Sequence, residues 1–577
     1  MSSRQKTSRK PKAAIDAAKK ADKQAQQPPA YDILKNVGRA VAVLLIAGIA
    51  SPVSQLNLTP VYGSIPASLH HQRTMTFTAV TALIARKGLK RYVSANLAEY
   101  IAVVAYWAPV IQFLLFPYSA QLTVEYGPLI IESLTYFPLL FLSMYAAADL
   151  LETIDMSRFN IPSSVSDVAV PTASYFTVST IAKIGGAIIP NYIGTSIYFT
   201  RIGFQMLLAS SSAFLTPSRV ILFAFPAILH TLWANPHHPS DHGFQLANST
   251  LLATQNYTLL ARQESITGYI SVMENSADNA FRLLRCDHSL LGGEWLVTPE
   301  AYAKGQRQRE SIFAVFVLLE AVRLIEPLPS TPVVDDSKKS VLNIGLGIGT
   351  APNAMIAHGI NTTIVELDPV VHHYATKYFG LSPLHTAVID DAVSYVAAKS
   401  VSAPGSFHYI IHDVFTGGAE PVSLFTTEFM QGLYDLLTLD GSVAINYAGD
   451  ITLGSTKLVL NTIHAIFPAC RLYRDQPAEE GHKPGDPDFI NMVVFCVKQK
   501  RKITFRQPAE SEYLGSIARQ NFLWPKDKME VKYKYTKGAK TMARKDVGEL
   551  ERFHKEGAVS HWRIMRTVLP AGVWEMW

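Results

Sequence analysis

One stretch limits what this chain can fold into more than any other: Ser340 to Asp368, SVLNIGLGIGTAPNAMIAHGINTTIVELD. An apolar run, Val341 to Ile344, meets a turn carrying Gly345, Gly347 and Gly349. A helical stretch follows, and a second apolar run, Thr362 to Val365, ends on Glu366. This is the order of a nucleotide-binding βαβ unit. The glycines let the backbone turn sharply and approach a ligand, and an acid about 20 residues on accepts hydrogen bonds from two ribose hydroxyls. Thr350 stands where a dinucleotide fingerprint has its third glycine. The shorter G-x-G-x-G form favours an adenosyl ligand without a pyrophosphate over NAD. A glycine turn that only packs a helix on a sheet has the same spelling.

The alternation of strand and helix continues downstream. His385 to Ile389 ends at Asp390 and Asp391, Tyr409 to His412 ends at Asp413, and Ser442 to Asn446 and Asn491 to Val497 complete the predicted sheet. Ligands of open parallel sheets bind outside the carboxyl ends of the strands, so Glu366, Asp391 and Asp413 are expected to converge on one pocket. Asp391 also suits the N-cap of a helix over Ala392 to Ala398. Asp413 instead precedes a loop, Val414 to Pro421. A carboxylate held there can take a proton from an amine nucleophile or orient it.

Upstream the chain changes character. With 577 residues, two to four units are expected, and 48% hydrophobic against 17% charged residues implies a membrane portion. Apolar runs lie at Val37 to Leu58, Thr74 to Ala85, Leu97 to Tyr118, Pro128 to Ala148, Tyr175 to Leu215 and Arg219 to Ala234. The first is long enough to cross a bilayer, which takes about 20 residues. Basic residues flank it and recur at Arg86, Lys87, Lys90 and Arg91. The positive-inside rule then favours about six spans over five, with both ends cytoplasmic. The predicted protein is a multi-pass one of an internal membrane such as the endoplasmic reticulum. Five spans would place the downstream domain in the lumen, where Asn248 and Asn256 head glycosylation tripeptides. Glu132 and Lys183 could pair within the bundle, although Lys183 can also snorkel to the interface.

Residues 1 to 30 form a basic tail with no interleaved aromatics, expected to be disordered and either free to lie along an anionic lipid surface or simply solvated on the cytoplasmic side, rather than to bind nucleic acid. The predicted order is then a transmembrane region (31 to 235), a polar linker (236 to 262), a small β module (263 to 310), the α/β domain (311 to 500) and a charged extension (501 to 577). In the linker, NPHHPSDHG collects His237, His238, Asp241 and His242. It lacks the spacing that fixes metal-ligand geometry, and no metal is expected. Cys286, Cys470 and Cys496 are too few and scattered for a disulfide framework, which points to a reducing compartment. The extension is basic from Lys526 to Lys555 and ends in Trp562, Trp574 and Trp577. It either forms a charged helix that packs back on the domain or touches the membrane, or is solvated.

The combination GLGIGTAPNAM, VELDP, IDDAVSYV and YIIHDVFTGGAEPVSLFTTEF resembles the spermidine and spermine synthase family, especially its membrane-attached branch, over residues 263 to 500. The resemblance implies a Rossmann-like fold of S-adenosylmethionine methyltransferase type. The donor it implies is decarboxylated S-adenosylmethionine or S-adenosylmethionine, the acceptor a small amine or polyamine, and a homodimer is allowed. Carried over, Gly345, Gly347 and Gly349 hold the donor's backbone portion, Glu366 its ribose, Asp390 and Asp391 its adenine end, and Asp413 the attacking amine. The chain departs from the family where an acid of the glycine turn is Ile348, where a second catalytic-loop Asp is Thr416 followed by Gly417, and where polyamine contacts fall on Phe313 and Val315. The resemblance makes aminopropyl transfer the first expectation, and the departures support the other two, the loss of the acid at Ile348 favouring methyl transfer. Methyl transfer to a hydrophobic acceptor is the second, and a non-catalytic adenosyl pocket the third.

Overall fold

The computed structural model describes residues 30–92, 96–152, 163–277, 279–329, 334–414, 421–478, 481 and 488–577. The basic tail before residue 30, and Thr416 and Gly417 of the catalytic loop, lie outside them.

A helical region comes first, with its longest helices at Ala30–Tyr62, His71–Tyr92, Ile101–Leu115, Ser119–Leu134, Tyr136–Glu152, Ser163–Ile188 and Arg201–Leu215. Ala40, Val43, Leu44, Ala47 and Ala50 recur at helical spacing on one face of the first helix, and that face is buried in the bundle. The six-span expectation is not supported. Among the described residues only Tyr31–Tyr62 and Leu97–Leu134 are long and apolar enough to cross a bilayer. The run from Tyr175 to Leu215 is broken between Ile188 and Arg201, where Pro190 and Gly194, at φ +79°, interrupt the helical backbone. The pairing of Glu132 with Lys183 is also corrected. Lys183 faces outward, whereas buried Glu132 accepts from His71 Nδ1 at 2.8 Å and from the Ser54 hydroxyl at 2.8 Å.

Residues 236 to 262 form more than a linker, carrying a helix, Asp241–Gln255, capped by Ser240. They also begin an antiparallel sheet of five strands in the order β1 (Tyr257–Ser265), β2 (Gly268–Asn275), β3 (Phe281–Cys286), β4 (Ser289–Trp295) and β5 (Glu310–Ser311). These strands fall within 257 to 311, overlapping the stretch from 263 to 310.

The second sheet has eight strands: β6 (Ser340–Ile344), β7 (Asn361–Glu366), β8 (Thr386–Ile389), β9 (Phe407–His412), β10 (Leu437–Asp450), β11 (Ala469–Arg474), β12 (Phe489–Val497) and β13 (Glu530–Val531). Their spatial order is β13-β11-β12-β10-β9-β6-β7-β8. The five strands from β8 to β10 are parallel, and β12 runs antiparallel to β10. Successive side chains point to opposite faces, as a pleated strand requires. Leu342, Ile344, Ile410, Val443 and Ile445 pack against the helices Ala392–Ser402, Thr427–Leu436 and Gly454–Ile466, while Val341, Ile411 and Ala444 pack under Ala314–Leu319 and Thr350–Ala357. This is a Rossmann-like sheet, and its order reverses between β6 and β9, which puts a ligand crevice at their carboxyl ends.

Two cysteines expected to be isolated thiols are joined. Cys470 on β11 lies directly opposite Cys496 on β12, with Cα atoms 4.2 Å apart, and the two form a disulfide. Strand pairing brings together residues 26 apart in sequence. Disulfides persist in oxidising compartments, so the reducing one does not follow.

Candidate active site

A cavity of about 270 Å3 opens at the reversal point of the large sheet. Gly345, Gly347, Glu366, Asp390, Asp391 and Asp413 all line it. Gly349 does not line it; at φ +85° it caps the helix Thr350–Ala357.

Two of the glycines are required by close approach. A Cβ on Gly345 would stand 2.1 Å from the Asp413 carbonyl oxygen, and one on Gly347 would stand 2.4 Å from the carbonyl oxygen of Leu291 on β4. Both have positive φ, +79° and +54°. The small sheet is thereby pressed onto the glycine turn and roofs the cavity.

Glu366 ends β7 and is buried. Its carboxylate accepts from the Leu346 N–H at 2.9 Å and from the Asp368 N–H at 2.8 Å. Burial outweighs those bonds and pushes its pKa up to about 7. Asp413 follows β9, and Asn446 on the neighbouring β10 donates to its Oδ1 at 2.7 Å. Burial raises its pKa to about 6. Asp390 and Asp391 form an exposed rim. Asp391 accepts from the Val393 and Ser394 N–H groups, so it caps its helix and lines the cavity at once. His412, beside Asp413, is buried between Phe425 and Phe429, and desolvation lowers its pKa to about 4.

Several walls of the cavity were not foreseen. The turn after the first helix supplies Tyr62 to Ser64 and Pro66, the β3–β4 hairpin supplies Asp287 to Ser289, and the C-terminal helix Val547–Val568 supplies His561 and Trp562. Trp562 lies between Tyr62 and His288, with ring centroids 6.4 and 5.6 Å away. The solvated reading of the C-terminal extension is thus corrected, and Trp562, Trp574 and Trp577 are all buried. Only Asn446 among the missed residues carried a usable signal, because it too falls late on a predicted strand of the parallel set.

Two fully buried arginines hold these walls together. Arg201 bonds the Glu264 carboxylate at 3.1 Å, Asp287 Oδ1 at 2.9 Å and the Leu56 carbonyl oxygen at 2.9 Å. Arg285 donates to the carbonyl oxygens of Asp287, Pro60, Val573 and Trp574 at 2.6 to 2.9 Å. The helical region, the small sheet and the C-terminus therefore meet in one polar joint.

The positions where the chain departs from the aminopropyltransferases lie elsewhere. Ile348 is 6% exposed and packs on Gly292, outside the cavity. Phe313 and Val315 belong to the core beneath the opposite sheet face. Among the described residues no group of three or more His, Cys, Asp or Glu is placed to hold a metal. His237 of the histidine-rich run stacks on Trp577 at 4.5 Å, with Nε2 3.0 Å from the Glu575 carbonyl oxygen.

The chain matches no protein-family model. It is 41% identical over 559 residues, 95% of its length and 98% of the relative's, to the N-terminal histidine N-methyltransferase of Emericella nidulans. A polyamine aminopropyltransferase of Vibrio vulnificus is 33% identical over 109 residues, 18% of this chain and 36% of that one. The structure of a probable spermidine synthase from Corynebacterium glutamicum is 18% identical, covers 48% of this chain and 98% of its own, and superposes with a TM-score of 0.34. The relative that spans the chain is thus an N-methyltransferase, and the aminopropyltransferase likeness is local. This overturns assignment to the spermidine and spermine synthase family, aminopropyl transfer as the reaction, and a small amine or polyamine as acceptor. The acceptor named for the full-length relative is an N-terminal histidine.

Proposed function

Because the chain belongs to the family of the Emericella nidulans N-terminal histidine N-methyltransferase, we propose that it methylates a nitrogen of an N-terminal histidine on a polypeptide, with S-adenosylmethionine as donor. The identity that runs through 95% of the chain carries this reading. A match of that extent cannot be confined to the large sheet, and the helical region lines the cavity together with it.

The residues present fit the donor. Gly345 and Gly347 leave a cradle that a Cβ would fill. Glu366 stands where a ribose-binding acid belongs, and Asp390 and Asp391 rim the adenine end. The lining carries five carboxylates, Asp287, Glu366, Asp390, Asp391 and Asp413, and no Lys or Arg among the described residues, which suits a cationic ligand. The donor supplies a methyl carbon already activated by a positively charged sulfur. Asp413 aligns the acceptor and accepts the proton released as the C–N bond forms and the C–S bond breaks, leaving the electron pair on sulfur as a thioether. Asn446 holds that carboxylate in place through its 2.7 Å bond.

A membrane location belongs to the same proposal. It is supported by the two long apolar helices and by exposed apolar side chains such as Phe77, Ile84, Phe214 and Leu222. The Cys470–Cys496 disulfide favours an oxidising side for the catalytic half, the opposite of the cytoplasmic face expected from the basic flanks. Protease protection in sealed microsomes distinguishes the two.

The activity is tested with the full chain, S-adenosylmethionine and peptides that begin with histidine, alanine or lysine. Addition of one methyl mass to the histidine peptide alone is expected. Methylation of all three peptides, or of none while a hydrophobic small molecule is methylated, would refute the reading.

A further inference from the structure

Four of the five carboxylates in the cavity sit at the carboxyl ends of the large sheet's strands, where donor and catalytic roles belong. Asp287 is the fifth and comes from the opposite wall, at the tip of the β3–β4 hairpin. Its φ of +45° is that of the first residue in the two-residue turn that joins Cys286 to Ser289. Two buried arginines hold it there, Arg285 Nε on its carbonyl oxygen at 2.6 Å and Arg201 Nη2 on Oδ1 at 2.9 Å. The Tyr269 N–H also donates to Oδ1, at 2.9 Å. Oδ2 receives no hydrogen bond among the described residues, and the side chain keeps 16% of its exposure. Oδ2 lies beside Gly268, where a Cβ would stand 2.7 Å from it, so only a glycine there leaves this oxygen room, and Asp287 and Asp413 line the same cavity.

Resting on the N-terminal histidine reading, we infer that Asp287 is the specificity-determining residue that binds the free α-ammonium of the acceptor's first residue. A charge-assisted bond from an ammonium to a prepositioned carboxylate is the usual way to capture a chain terminus, and it marks the difference between the first histidine and any internal one. Arg201 halves the local charge but fixes the oxygen, so recognition is by geometry as well as by attraction. An ammonium held there has no lone pair, so the methyl falls on the imidazole, while Asp413 is left free to take the ring proton.

The test compares a histidine-initiated peptide with its Nα-acetylated form, using the full chain and Asp287→Asn. Asparagine keeps an oxygen for Arg201 and the Tyr269 N–H, and replaces the unused carboxylate oxygen with an amide donor. The wild type should turn over the free peptide at least ten times better in kcat/KM than the acetylated one. Asp287→Asn should collapse that ratio towards one through a higher KM for the free peptide, while the thermal midpoint is retained. An unchanged ratio in the variant, or a wild type indifferent to acetylation, would overturn the inference while leaving histidine methylation intact. A wild type that methylates neither peptide overturns the underlying reading instead. If Asp287→Asn melts early, Asp287→Glu, which keeps the charge but displaces it, should show the same selective rise in KM.

Discussion

Asn446 and Asp413 sit on neighbouring parallel strands, and the Asn446 amide nitrogen lies 2.7 Å from Asp413 Oδ1. The bond stabilises the charged carboxylate against the burial that raises its pKa to about 6. Asp413→Asn should lower kcat by about 100-fold to 10,000-fold, the range for a lost general base. Donor affinity should stay within a few fold, as measured by calorimetry with S-adenosylhomocysteine.

Asn446→Ala should act through Asp413. Loss of one hydrogen bond to a charged group costs about 1.5 to 3 kcal/mol, and the acid limb of the pH–rate profile should move to higher pH as the carboxylate loses its stabilising donor. A fall in kcat with no movement of that limb would show that Asn446 only packs.

Glu366 gives a pH-dependent stability with a definite sign. Its folded pKa, about 7, lies above its ordinary value of 4.5, so the folded state holds the proton more tightly. The corresponding stabilisation is complete below about pH 4.5 and is lost as pH rises to about 7, roughly 3 kcal/mol over the interval. Urea unfolding of wild type and Glu366→Gln across that range should show the difference between them changing by this order. Buried histidines such as His412 and His561 titrate in the opposite sense in both proteins and cancel in the comparison.

Ile348→Asp would restore the acid of the aminopropyltransferase turn but should not create that activity. The side chain packs into a buried cluster against Gly292 rather than into the cavity. An unpaired carboxylate there should lower stability by several kcal/mol. Turnover of decarboxylated S-adenosylmethionine with putrescine by this variant would contradict the placement.

Arg201→Met should destabilise the protein by about 3 to 5 kcal/mol, because Glu264 would be left buried without its cation. The loss should appear as a lower denaturant midpoint. Acceptor binding should weaken as well, since Asp287 Oδ1 loses one of its two hydrogen-bond donors.

Much of the catalytic half was legible in the residues. Strands with alternating or continuous apolar runs, glycines in a turn and acids at strand ends obey local rules, and Gly345, Gly347, Glu366, Asp390, Asp391 and Asp413 do meet in one cavity. The reaction was less legible. The same turn and acids serve an adenosyl donor whether a methyl or an aminopropyl group is transferred, and the family-specific positions Ile348, Phe313 and Val315 pack away from the cavity. The number of spans was over-read: of the described residues, two helices are long and apolar enough to cross a bilayer, and length is set by breaks such as Pro190 and Gly194 that an apolar run does not exclude.

Local sequence thus specified the Rossmann-like sheet and the donor end of the site, since backbone conformation, side-chain alternation and capping depend on near neighbours. Tertiary structure alone decided the wall of the cavity opposite the sheet. Tyr62, Asp287 and Trp562 stand 225 and 275 residues apart along the chain, and no local pattern relates them. They meet because Arg201 and Arg285, once buried, had to find carboxylates and carbonyl oxygens, and those lay on the helical region, the hairpin and the C-terminus.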